Sequence, residues 1–150
     1  MQFGNESDQD KFDAWFREKL EHVAQYCFRR QLFSEEIKVE SLWVIPHNVL
    51  IGQAWPKNDP SNKIWVITGE IVATDHADNN VAENAREAAR YFALRWQLQG
   101  ARVQSSDDER PGNRSENQVN WESMGKSLSE KAEMLYTFVN NDQHWNQTQQ

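Results

Sequence analysis

The chain is poor in cysteine, in long apolar runs and in positive charge, and each shortage excludes something. One cysteine in 150 residues, Cys27, rules out an internal disulfide framework and points to a reducing compartment. No window approaches the roughly 20 apolar residues that a membrane-spanning helix needs. The first ten residues are acidic and lack an apolar centre, so they do not read as a signal peptide. The expected location is therefore cytoplasmic. Sixteen Lys and Arg stand against 23 Asp and Glu, a net charge of −7, so a nucleic-acid backbone is not the expected partner, although a local basic groove is compatible with that balance.

What the chain does have is aromatic. Only 38% of residues are apolar and the mean hydropathy is −0.89, yet seven Trp and seven Phe are present. Large rings bury enough area each to build a core that an averaged scale understates. The length fits one domain, residues 1–150, with 1–6, 104–117 and 141–150 expected to be flexible.

Phe12, Phe16, Leu20, Val23 and Cys27 recur at helical spacing, widened by Trp15 and Tyr26. They predict a helix over 8–31, with Ser7 as its cap and Arg29 and Arg30 at its negative end. Two strands around Leu42–Ile45 and Val49–Trp55 flank the turn signal Pro46-His47-Asn48. A third strand is expected over 63–72, followed by a polar connection at 74–79. Asn80 and Glu83 resemble a capping box for a second helix that runs to about Gln99 or Val103, with Gly100 weakening its last turn. Trp121, Met124, Leu128, Ala132, Leu135 and Phe138 predict a third helix over 120–140. The reading is α+β, order α-β-β-β-α-α, with a three-stranded antiparallel sheet. The open edge of so short a sheet makes a second copy of the chain one expected partner.

Three constellations carry chemistry. Glu70, Asp75 and His76 combine carboxylates and imidazole, the groups of a divalent-metal or acid–base site, but their spacing matches no metal motif, and polar turn residues ahead of a helix are ordinary. Arg86 and Arg90 are helical neighbours able to grip an anion; the plainer account is a solvated face balanced by Glu83 and Glu87. Arg95 lies beside the apolar stripe and is placed to stack on an aromatic ring. Of the tryptophans, Trp121 and Trp145 fall outside the expected core and are candidates for an exposed contact. Cys27 reads as a small buried hydrophobe, since a thiolate–imidazole pair would need His47 or His76 to reach it. No cofactor and no metal is expected.

The run Trp65-Val66-Ile67-Thr68-Gly69-Glu70, with Ala85-Arg86-Glu87-Ala88-Ala89-Arg90-Tyr91-Phe92-Ala93-Leu94-Arg95-Trp96-Gln97-Leu98, resembles a small gammaproteobacterial protein family that bears a domain-of-unknown-function label. The resemblance is clearest over 40–103. It implies a bacterial, soluble, single-domain protein and transfers no catalytic residue. The functional expectation is a non-enzymatic cytosolic module that binds a protein partner or regulates one. The alternative is a small metal-dependent or acid–base enzyme, or an anionic-ligand binder, centred on Glu70, Asp75, His76 and the arginines of the second helix.

Overall fold

The computed structural model describes residues 6–109 and 116–146, and side chains within 7–103 and 123–145. The chain divides into two compact units, Met1–Ala85 and Arg86–Gln150.

In the first unit, helix α1 (Glu6–Arg29) precedes strands β1 (Ile37–Ile45), β2 (Val49–Pro56), β3 (Ile64–Gly69) and β4 (Asp75–Asp78), then a 3-10 turn at Asn79–Val81. The sheet is an antiparallel meander in the order β1-β2-β3-β4. It has four strands where three are expected from the sequence. The extra one is the polar segment Asp75-His76-Ala77-Asp78, paired with Ile67, Val66, Trp65 and Ile64. Ser7 lies inside α1 and is not its cap.

The expected strand over 63–72 stops at Gly69. A Cβ there would sit 2.1 Å from the Asn48 carbonyl oxygen, so only glycine allows this approach. The amides of Glu70 and Ile71 then donate to that same oxygen, at 2.9 and 3.4 Å, and the chain leaves the ladder. The β1–β2 hairpin closes at Ile45↔Val49, with Asn48 N–H on the Ile45 carbonyl at 3.0 Å. The positive φ falls on His47, not on Asn48.

α1 covers one sheet face. Val23, Tyr26 and Cys27 form a buried cluster with Ala54 and Val66, edged by Leu32, Phe33, Ile37, Val39 and Ile64. The alternate residues Trp43, Ile51, Trp65, Ile67 and Ala77 are buried too. Trp65 donates its indole N–H to the carbonyls of Asn79 and Ala82, each at 3.2 Å, which fixes the 3-10 turn under its ring.

The second unit holds α2 (Ala85–Glu109), α3 (Glu116–Val139) and α4 (Asp142–Asn146). α2 starts after the 3-10 turn, five residues beyond the expected cap Asn80, and it continues through 104–109, which the sequence reading assigns to a loop. Ala88, Ala89, Phe92, Ala93 and Trp96 make its buried face, with Phe92 stacked on Trp96. Gly100 does not weaken a last turn: a Cβ there would lie 2.8 Å from both the Gly125 carbonyl and the Ser129 hydroxyl, so the missing side chain lets α2 and α3 cross closely. Trp145 is buried and donates to the Phe138 carbonyl at 2.9 Å, so it is a core residue and not an exposed contact. The tail expected to be loose is helical at 142–146. The Trp121 side chain and residues 1–5, 110–115 and 147–150 lie outside what is described. Among the described residues no helix is long and apolar enough to cross a membrane.

Candidate functional site

Two features of α1 concentrate the chemistry of the first unit. The first is a polar seam. Trp15, Lys19, His22 and Tyr26 repeat at spacings of four, three and four, so they line one helical face. Each meets a polar group of the sheet side. Lys19 Nζ lies 2.6 Å from Glu70 Oε1, and Trp15 donates to the same oxygen at 3.3 Å. His22 Nε2 contacts the Thr74 hydroxyl at 3.1 Å, which contacts Thr68 at 2.8 Å. The Tyr26 hydroxyl lies 2.9 Å from His76 Nδ1.

Lys19 is only 8% exposed, an unusual position for an ammonium, and Glu70 is its compensation. The Lys19 hydrogen bond, followed by its charge, holds the Glu70 carboxyl below the ordinary carboxylate value against the opposing effect of burial.

The sequence candidates fall into separate settings. Glu70 faces Lys19 and His76 faces Tyr26, seven residues further along α1, which is about 10.5 Å of helix. Asp75 accepts the His76 backbone N–H at 2.8 Å. Arg86 belongs to the second unit, where its Nε and Nη2 donate to the Val139 carbonyl at 3.0 and 2.7 Å. Its ion pair, at 2.6 Å, is with Asp142, and its guanidinium lies 5.8 Å from the Trp145 ring centroid. It thus caps the negative end of α3, where a cation is favoured. Arg90 is exposed and Arg95 half-buried on α2. Among the described residues no group of three or more His, Cys, Asp or Glu is arranged to hold a metal ion.

The second feature is the elbow between α1 and β1. α1 ends in a Schellman cap: Leu32 N–H donates to the Cys27 carbonyl at 3.1 Å and Gln31 N–H to that of Phe28 at 3.0 Å. Gln31 takes the left-handed conformation, φ 55°, that glycine usually fills. The reversal turns Leu32 back into the core cluster beside Cys27 and leaves Phe28 outside, 80% exposed. A cavity of about 170 Å³ opens there, lined by Ala24, Cys27 and Phe28 of α1 and by Phe33, Glu35, Glu36 and Ile37. A wider groove of about 730 Å³ shares Phe28, Phe33, Glu35 and Glu36 with it and adds Arg29, Gln31 and Ser34. Cys27 is 1% exposed, and burial pushes its thiol up to about 11, so at neutral pH it is an apolar wall and not a nucleophile. His47 packs on Phe12 and Trp15, and His76 on Tyr26; neither contact serves the thiol.

The seam and the elbow are absent from the sequence reading. The available signals were small: Lys19 interrupts the apolar spacing Trp15–Lys19–Val23, and Phe28 is a large apolar residue off the stripe.

Residues 8–145 match a family model described as a domain of unknown function, DUF4826, and the chain belongs to that family. No curated protein and no solved structure matches it.

Proposed function

We propose that this protein is a binding module that docks a segment of another protein in the groove at the α1–β1 elbow. The observation that carries this reading is Phe28, 80% exposed and standing at a concave surface. Isolated exposed apolar residues are common, but one beside a groove with a charged rim is the form of an interaction site. Glu35 and Glu36 supply that rim, and both are exposed. The Glu36–Lys57 pair spans 3.9 Å between exposed groups, which contributes little and leaves the carboxylates available. Arg29 offsets one of the two charges, so the partner segment carries apolar residues with a Lys or Arg beside them.

The other candidate groups favour this reading over catalysis. Glu70 is occupied by Lys19 and Trp15, His76 by Tyr26, and Arg86 by the end of α3. Each contact stabilises the fold and lowers the share of the group left for a substrate.

A displayed peptide library tests the proposal. Selection on the wild-type chain is expected to enrich segments that pair Lys or Arg with apolar residues. Enrichment should be lost on a Glu35→Lys/Glu36→Lys chain. Identical enrichment on both chains, or none on either, sinks the docking role.

A further inference from the structure

Resting on the groove reading above, we infer that the cavity at its inner end is an anchor pocket for a single aromatic ring, supplied by one side chain of the docked segment. The argument begins with size. An enclosed apolar cavity of about 150 Å³ suffices to take up benzene. The elbow cavity, open on one side, measures about 170 Å³, so it has room for one six-membered or indole-sized ring.

The walls favour an aromatic occupant over an aliphatic one. Phe28 and Phe33 offer ring edges and faces, and aromatic pairs gain beyond their buried area. Cys27 closes the buried end, and a polarizable sulfur at a ring edge is a favourable contact. Ala24 and Ile37 complete the apolar part of the lining, distinct from the Glu35 and Glu36 carboxylates. Glu35 and Glu36 lie where the cavity meets the groove. A ring bearing an N–H or O–H can therefore point its polar edge outward to a carboxylate while its apolar body is buried. Tryptophan and tyrosine have this form, and both are enriched among residues that dominate interface energies.

The cavity also belongs to a rigid frame. The Schellman cap fixes Cys27 and Phe28 through main-chain bonds, and Leu32 is packed into the core beside them. A preformed pocket spares the ordering cost that a flexible surface would incur on binding.

The test uses the full chain, labelled with ¹⁵N and ¹³C, titrated with indole and, separately, with benzene. Saturable shifts are expected at Ala24, Cys27, Phe33 and Ile37. Ala24→Leu fills the cavity from the helix and should weaken ring binding at least tenfold with its helical circular dichroism intact. Phe33→Leu removes a ring from the wall and should also weaken indole binding, which keeps the test informative if Ala24→Leu folds poorly. Absence of saturable shifts at those residues, or equal binding by a folded Ala24→Leu chain, overturns the pocket. If the rings fail to bind while peptide selection still depends on Glu35 and Glu36, the pocket falls and the groove stands. If the rings bind and no such selection occurs, the pocket stands and the protein-docking reading falls.

Discussion

The inner face of α1 and its C-terminal end obey opposite rules. Along the inner face, Lys19, His22 and Tyr26 each meet a polar partner across the helix–sheet contact. At the end, Phe28 stands in solvent beside a cavity lined by Cys27, Phe33 and Ile37 and rimmed by Glu35 and Glu36. Buried polar groups must be satisfied internally or they cost more than they contribute, so the seam spends its hydrogen-bonding capacity on specifying how α1 sits on the sheet. Apolar surface left open has no such obligation, and its burial remains available to a partner. The seam residues that look catalytic in a list each hold a contact within the fold, whereas the elbow that we propose as the docking site carries its carboxylates, Glu35 and Glu36, at an exposed rim.

The largest expected effect comes from breaking the seam. Glu70→Gln removes the carboxylate 2.6 Å from the Lys19 ammonium, 8% exposed, and leaves it only the exposed Glu18 carboxylate at 3.9 Å. Because Glu70 itself is half-exposed, the loss should fall below that of a fully buried pair, at about 1–3 kcal/mol in urea unfolding at pH 7. Lys19→Met should cost less, since a lone Glu70 regains water. The double variant should resemble Lys19→Met alone, and additivity within about 0.5 kcal/mol would show that the pair is not coupled. The pH dependence follows from sign. The folded Glu70 pKa is lowered, so its stabilisation is fully present above the ordinary carboxylate value and is lost as pH falls through the lowered folded value. The gap between wild type and Glu70→Gln should be widest near pH 7 and close in acid. A gap that persists unchanged in acid would assign the effect to shape and not to charge.

How much of this was legible in sequence depends on where each signal resides. The β3 run Ile64-Trp65-Val66-Ile67 is β-branched and aromatic, and the α2 residues Ala88, Ala89, Phe92 and Trp96 share one helical face. Such local patterns report their own element. β4 does not, because Asp75-His76-Ala77-Asp78 is short and polar and becomes a strand through its ladder to β3. The seam is equally silent: Lys19 and Glu70 are far apart in the chain and meet only when α1 lies on the sheet. The elbow was hidden for a different reason. Its cap has glutamine where glycine would announce it, so the end of α1 reads in the sequence as two more residues of helix.

That glutamine gives the next effect in size. A non-glycine residue in the left-handed region costs roughly 1–2 kcal/mol. Glycine relieves this strain but adds freedom to the unfolded chain. Gln31→Gly should therefore raise stability by about 0.5–1 kcal/mol, seen as a higher urea midpoint with an unchanged slope. A loss of stability would mean that the elbow is held by the Gln31 side chain and not by the cap, and the pocket frame would need another source of rigidity.

The smallest effect is the most discriminating for the comparison. Fully burying a phenylalanine contributes about 1.5–3 kcal/mol. Phe28 is 80% exposed, so removing its ring forfeits only a small share of that. Phe28→Ser should shift the unfolding free energy by no more than about 0.5 kcal/mol, while abolishing any selection of partner segments. A loss above about 1 kcal/mol would show that the ring packs onto the protein in solution, which would make the elbow part of the core. Together, an unmoved midpoint and a lost partner would separate binding from folding at one residue, a separation that no position in the seam allows.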